Sequence, residues 1–230
     1  MRIRVFSDTA TLAEAAAADI ARWLSIDESG TLGLAGGSTP RPTYELLRRL
    51  DVQWDRVVAW MTDERHVPVG DPASNAGMAR AALFDHVPAT LHPVPYREDP
   101  NEAAREYEAT LASFMTGPRG RLEPGLVVLG VGSDGHTASL FPGTPALKEE
   151  DREFVANWVD DQNTWRLTAT LPLLARARRT LFIVSGADKA EIVADILEHE
   201  SDHPATLVNQ QARDSVWLLD RAAASSLSVA

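Results

Sequence analysis

The sequence predicts an α/β fold: a single domain over residues 1–230, with a doubly wound, largely parallel sheet and helices on both faces. Three observations predict it. Short apolar, β-branched runs recur along the chain, as in Thr31–Ala35, Arg56–Thr62, Leu126–Leu129 and Thr180–Ser185, the pattern of strands buried on both faces. Segments of helical period separate these runs, so consecutive strands run parallel. Glycine-rich turns follow the strands at Gly36-Gly37 and Gly130–Gly135, where open, Rossmann-like sheets bind their ligands.

Arg2–Phe6 reads as the first strand, and Ser7 or Asp8 caps a helix from Thr9 to about Leu24 with Leu12, Ile20 and Leu24 on its apolar side. Thr31–Ala35 leads through Gly36-Gly37-Ser38-Thr39-Pro40 into a helix over Tyr44–Leu50. Arg56–Thr62 is a strand ending in Asp63-Glu64-Arg65, and Ser74–Phe84 reads as a capped helix. Leu91–Pro95 is a short proline-flanked strand. Asn101–Thr116 is an amphipathic helix with Tyr107, Leu111 and Phe114 inward, and Gly117–Gly125 links it to Leu126–Leu129. Pro142-Gly143 limits the next helix to little more than a turn. Phe154–Val159 is a strand, Asp160–Thr164 a loop, and Trp165–Leu171 alternates as a strand. After Thr180–Ser185, a helix opens at Gly186–Ala190 and runs to about Glu198. Pro204 begins a short segment, Ser215–Asp220 is the last strand, and the small residues beyond Arg221 are expected to fray. No internal repeat, low-complexity tract or linker interrupts the series.

Composition narrows the function. Apolar residues make up 44% and charged residues 24%, as in ordinary soluble globules. No apolar run reaches the length of a membrane span, and MRIRVFSD lacks the apolar core of a signal peptide. Without cysteine there is no disulfide, thiolate metal site or cysteine nucleophile, which fits a cytoplasmic enzyme. A net charge of −11 argues against nucleic-acid and anionic-membrane partners, and any anionic substrate needs a local basic pocket.

The loop after Leu126–Leu129 has three readings. Gly130-x-Gly132-x-x-Gly135 matches a dinucleotide fingerprint, but Pro142 interrupts the long helix that such a fingerprint requires. It also fits a tight structural turn holding a satisfied histidine. In the third reading His136 is a general acid or base with Asp134 beside it to orient or tune it. Gly36-Gly37-Ser38-Thr39 fits either a capped turn or an anion cradle of backbone N–H groups and hydroxyls, with Arg41 adding charge. Asp63-Glu64-Arg65 is a solvated strand end or a site wall. Lys189, one of only two lysines, stands in a helix's first turn, either as a surface lysine or, since the dipole disfavours a cation there unless an anion is close, as an anion contact. His66, His86 and His92 are assigned structural roles, His66 with a place beside the site. No GxSxG elbow and no zincin-type histidine pair is present, so neither a serine nucleophile nor a metal is indicated.

Gly130–Gly143, GVGSDGHTASLFPG, closely resembles the signature loop of the 6-phosphogluconolactonases, lactone hydrolases of the oxidative pentose phosphate pathway. Glucosamine-6-phosphate deaminases carry a related loop with a similar DGH core. The resemblance covers nearly the whole chain through four ordered motifs: GGSTP, DERxVP with Ser74-Asn75, GxGxDGHxASLFPG, and GxxKA ending at Lys189-Ala190. It implies hydrolysis of 6-phospho-D-glucono-1,5-lactone to 6-phospho-D-gluconate, without cofactor, by water activated by His136. Asp134 would orient the imidazole or the water, and Arg65 with the loop N–H groups would meet the oxyanion. The substrate would be bound by Gly36, Gly37, Ser38, Thr39, Arg41, Asp63, Arg166 and Lys189. Gln162-Asn163-Thr164 departs from the prolines that usually precede the arginine at 166. The partner expected is this small sugar-phosphate lactone, and the chain a monomer or weak homodimer.

Two alternatives stand against this reading. A deaminase or isomerase would use the same phosphate pocket, but deaminases tend to carry tyrosine where Arg65 stands. They also extend the DGH loop into Asn-Glu-Pro, where this chain has Ser139-Leu140-Phe141-Pro142. A non-catalytic sugar-phosphate sensor would have no need of His136, and no DNA-binding segment accompanies the domain.

Overall fold

The computed structural model describes residues 1–27 and 29–228. In chain order the elements are β1 (Arg2–Phe6), α1 (Thr9–Ile26), β2 (Thr31–Leu34), α2 (Pro40–Leu47), β3 (Val58–Met61), β4 (Asp63–Arg65), α3 (Asn75–Ala79) and β5 (Thr90–His92). There follow α4 (Pro100–Phe114), β6 (Leu126–Leu129), β7 (Phe154–Val159), β8 (Thr164–Ala169), α5 (Leu171–Ala175), β9 (Arg179–Val184), α6 (Ala190–Glu198), α7 (Pro204–Gln211) and β10 (Ser215–Asp220).

Seven strands form one sheet in the order β1-β10-β9-β6-β2-β3-β5, every neighbouring pair parallel. From β2 the chain steps outward through β3 to β5, then returns to the other side of β2 with β6 and steps outward through β9 and β10. Right-handed crossovers therefore put α1 and α2 on one face and α4, α6 and α7 on the other. The order reverses between β2 and β6, so a crevice opens at their carboxyl ends, and both glycine loops issue there.

A second, three-stranded antiparallel sheet, β4-β8-β7, departs from the parallel plan. Asp63-Glu64-Arg65 is not the end of the third strand but a strand of its own. The chain leaves the parallel sheet at Thr62, whose N–H and hydroxyl both donate to the Leu34 carbonyl at 3.0 Å. Three charged side chains have no place between two helical layers, and antiparallel pairing with β8 takes over their backbone bonds. Asn163, in the left-handed region at φ 46°, turns β7 back into β8.

Several boundaries differ from the sequence reading for identifiable reasons. Asp8 rather than Ser7 caps α1, in a reciprocal box with Thr11, and the helix continues to Ile26. The helix α2 begins at Pro40 instead of Tyr44, because proline at the first helical position loses no hydrogen bond. Ser74 caps α3 as expected, and its helix widens into a π-turn over Arg80–Phe84. No helix follows His136: the chain makes a Thr137–Leu140 bridge, then a 3₁₀ turn at Pro145–Lys148. The tail does not fray at Arg221, since Ala223 and Ala224 are fully buried and Leu227 packs on the core. The Asp220 carboxylate holds the Ala223 N–H at 2.7 Å. Fraying of the last two residues lies outside the described residues. Among those described, no helix is long and apolar enough to cross a membrane.

The core stacks Phe182 on Trp217 with ring centroids 4.1 Å apart and sets Tyr107 edge-on to Phe154. The fully buried Tyr107 hydroxyl accepts the Met61 N–H at 2.7 Å and donates to the His92 carbonyl at 2.9 Å, joining α4 to β3 and β5. Replacing Tyr107 by Phe leaves the buried Met61 N–H unpaired and removes the donor to the His92 carbonyl, a cost of about 1–3 kcal/mol. Urea unfolding should show a lower midpoint at unchanged slope; an unchanged midpoint would remove Tyr107 from the polar framework.

Candidate active site

A cleft of about 360 Å³ lies at the switch point. Its walls include Gly36, Gly37, Ser38 and Thr39 after β2, Asp63 and Arg65 of β4, His136, Arg166 of β8 and Lys189. Residues separated by up to 153 positions thus converge on one space.

The His136 loop is built on glycines that allow close approach. The Gly132 N–H donates to the His136 carbonyl at 2.8 Å and the Gly135 N–H to the Gly132 carbonyl at 3.0 Å, closing a tight turn. A Cβ on Gly132 would lie 2.1 Å from the imidazole Nδ1. Gly135 adopts φ +80°, and a Cβ there would lie 2.6 Å from the His203 ring. Asp134 Oδ1 accepts the His136 N–H at 3.1 Å and faces the ring Nδ1 at 2.5 Å. A carboxylate only accepts, so Nδ1 donates this bond, and in the neutral imidazole Nε2 holds the lone pair. Partial burial pushes the Asp134 carboxyl up, but its hydrogen bond to His136 and the imidazole's charge outweigh that and bring it to about 2. Asp134 is therefore an anion throughout the neutral range. The imidazole, with 28% of its side chain exposed, packs on Phe141 at a centroid distance of 4.2 Å. The N–H groups of Gly132, Gly135 and His136 are all engaged inside the loop, so none of these three is free to meet an oxyanion.

Across the cleft, Gly36 passes so close to Asn75 that a Cβ would lie 1.8 Å from its Oδ1. Thr39 begins α2 without capping it; its hydroxyl instead lies 3.2 Å from the Ser185 hydroxyl. Pro40 and Pro42 carry no N–H, so an anion here meets loop N–H groups and hydroxyls more than helix donors. Lys189 reaches in from the opposite loop, its Nζ 3.4 Å from Asp188 Oδ2 and its side chain 21% exposed.

Arg65 and Arg166 are register partners on β4 and β8. Arg65 donates to the Ala73 carbonyl at 2.9 Å and to Asn75 Oδ1 at 2.6 Å, while Arg166 Nη2 donates to Gln162 Oε1. Burial, then the neighbouring Arg65 charge, push the Arg166 guanidinium below the usual arginine range. Asp63, nearly buried, accepts the Ser139 hydroxyl at 2.7 Å. Glu64 points away from the cleft. Its carboxylate accepts the N–H groups of Arg65, Asn75 and Ala76 and the Ser74 hydroxyl at 2.6–3.0 Å, fixing the Asn75 that holds Arg65.

Nine of the expected site residues border one cleft, with Asp134 behind His136. Arg41 does not join them: it pairs with Glu45 at 3.0 Å, 60% exposed, beside an adjoining groove. His66 also lies apart, bonded to the Arg97 carbonyl at 2.7 Å and packed on Tyr96. Sequence reading missed Asn75, Ser139, Gln162 and Ser185 as cleft residues, and His203 as the support beneath Gly135. Asn75 was signalled within its motif, and Gln162 by its departure from the usual prolines. Ser139, Ser185 and His203 carried no local signal.

An open parallel sheet with a cationic cleft at its switch point and a carboxylate–imidazole pair on a glycine loop defines an α/β protein built to take a small anionic ligand. The family model described as glucosamine-6-phosphate isomerases/6-phosphogluconolactonase matches residues 7–217, and the chain belongs to that family. It is 42% identical over 206 residues to a 6-phosphogluconolactonase of Synechocystis, covering 86% of this chain and 85% of that protein. The 6-phosphogluconolactonase structure from Trypanosoma brucei superposes with a TM-score of 0.88 at 27% identity, over 99% of this chain and 98% of that one. A monomeric glucosamine-6-phosphate deaminase shares the fold at a TM-score of 0.85 and 24% identity, over 98% and 100% of the two chains.

The Gly132 contact yields a test of the loop. Gly132→Ala should push the imidazole aside by about an ångström and lower kcat by about a hundredfold, with the fold intact by circular dichroism. Wild-type kcat in that variant would mean that the ring is not held where its chemistry is done.

Proposed function

We propose that this protein hydrolyses 6-phospho-D-glucono-1,5-lactone to 6-phospho-D-gluconate, with His136 as general base. The observation that carries the reading is the Asp134–His136 pair at 2.5 Å, set in the same cleft as three cationic side chains, Arg65, Arg166 and Lys189. One end of that space suits a phosphate and the other a proton transfer. The family relationship supports the substrate class.

In this mechanism Ser38, Thr39, Arg166 and Lys189 hold the phosphate, so that binding energy orients the lactone. His136 Nε2 removes a proton from water as the water oxygen attacks the lactone carbonyl. Asp134 stabilises the resulting imidazolium, as an anion that stays ionised throughout the neutral range. Arg65 donates to the carbonyl oxygen as it gains charge. Collapse breaks the bond to the ring oxygen, which takes the proton from Nε2 and leaves as the sugar hydroxyl, freeing a carboxylic acid. Asp63 is suited to accept a hydrogen bond from a sugar hydroxyl rather than to meet the phosphate, which its charge would repel. Because lactonase and deaminase share the fold, the choice between them rests on this site: Arg65, and Ser139 with Leu140 after the DGH core.

A coupled assay with freshly generated lactone, run beside one for ammonia release from glucosamine 6-phosphate, tests the activity. Hydrolysis above the spontaneous rate and no ammonia are expected; the reverse would overturn the reading. His136→Ala should lower kcat by about 10²–10⁴-fold while binding of 6-phosphogluconate changes far less. The wild-type rate should decline on the acid side as the base is protonated, and that limb should vanish in the variant. Near-wild-type turnover by His136→Ala would exclude it as the base.

Alanine at Arg166 or Lys189 should each remove a charge-assisted contact worth about 1.5–3 kcal/mol. KM should then rise about ten- to a hundredfold. A wild-type KM in either variant takes that residue out of the phosphate site.

A further inference from the structure

Charge pairing among the arginines is uneven in an informative way. Asp and Glu number 33 against 22 Lys and Arg, so carboxylate partners are plentiful. Arg152, Arg176 and Arg179, partly buried like the cleft arginines, each bond a carboxylate. Arg65 and Arg166 do not: among the described residues their acceptors are a peptide carbonyl and the side-chain amides of Asn75 and Gln162.

The turn that supplies Arg166's acceptor also carries two acids, and among the described residues neither bonds it. Asp160 and Asp161 stand directly before Gln162 in the short turn between β7 and β8. Asp160 is turned the other way, its carboxylate taking the Trp158 indole N–H at 2.8 Å. The left-handed Asn163 folds the turn back so that Gln162, four positions before Arg166, brings its amide oxygen to Nη2. Arg166 Nε is buried and has no partner among the described residues. A dry guanidinium N–H without an acceptor is costly, and an oxyanion in the cleft would supply one.

We propose that Gln162 is a positioning residue that holds the Arg166 guanidinium with a neutral acceptor, so that the phosphate meets an aimed charge that no direct ion pair occupies. This rests on the phosphate-binding reading above. An amide oxygen holds the fork through one contact, less firmly than a bidentate carboxylate, yet adds no negative charge against it. A carboxylate at this position would quench the pocket and repel the substrate.

The test compares Gln162→Glu with Gln162→Ala in the full chain, reading KM and kcat for the lactone and competitive inhibition by inorganic phosphate. Gln162 lies on an exposed turn, so both variants should fold, and melting temperature checks this. Gln162→Glu should raise both KM and the phosphate Ki by about tenfold or more through added negative charge, and Gln162→Ala by clearly less. In both, kcat should stay within about threefold, since the reacting atoms are untouched. The difference between the variants should shrink at high salt. Equal effects of Glu and Ala, or a loss confined to kcat, would overturn the inference and leave the phosphate reading standing. If phosphate does not compete even with the wild type, and Arg166→Ala leaves KM unchanged, the phosphate reading itself fails and this inference with it.

Discussion

The reversal of strand order between β2 and β6 is the constraint on which the rest of the molecule depends. A parallel sheet wound in one direction leaves no opening at its carboxyl edge, because each crossover helix covers the strand beside it. Where the winding turns round, two adjacent strands send their chains to opposite faces and a crevice remains. Both glycine loops start there, one after Leu34 and one after Leu129. The two strands touch in register at Leu32–Leu126 and Gly33–Val127, so the loops cannot drift apart without breaking the middle of the sheet. A rigid floor under two compact loops suits chemistry that needs its groups held to fractions of an ångström.

The small antiparallel sheet solves a different problem. A cationic wall requires arginines that are partly dry, cross-braced and aimed, which a loop would supply poorly. Pairing β4 with β8 puts Arg65 and Arg166 side by side on a framework with its own backbone ladder. Burial is costly and like charges so close add repulsion, which is why the Arg166 guanidinium is depressed. In the proposed function the attraction of the substrate phosphate offsets that cost. Neutral acceptors hold both side chains in place without removing that attraction.

Behind the wall, polar groups are satisfied in depth. Glu64 is almost fully buried, and burial alone pushes its carboxyl upward. Four donors converge on it, and two of them are the N–H groups of Asn75 and Ala76 at the start of α3. The carboxylate thus replaces a longer helix as the anchor for Asn75, whose side chain holds Arg65 on one side and the Asp63 carbonyl on the other. Gly36 completes the arrangement by having no Cβ to exclude Asn75. Three residues from separate segments are required together, which explains why the motif reads as a unit despite its gap.

What the sequence determined by itself was whatever depends on near neighbours. Apolar β-branched runs fixed the buried strands, because a strand covered on both faces tolerates little else. The Asp134–His136 pair is legible since two residues apart on a glycine turn lie within hydrogen-bonding reach whatever surrounds them. The capping of α3 by Ser74 is local in the same sense. Family resemblance then connected the motifs, which residue pattern alone left open between turn and site. Tertiary structure decided the rest, through contacts between residues that spacing cannot relate: Ser139 to Asp63, Thr39 to Ser185, and the His203 ring beneath Gly135. It also moved Asp63–Arg65 into a second sheet, turned Arg41 out to Glu45 and buried Ala223 and Ala224 in the tail. The reason is physical: periodicity reports which face of an element is apolar, whereas the partner of a polar side chain is set by which other element the whole fold brings against it.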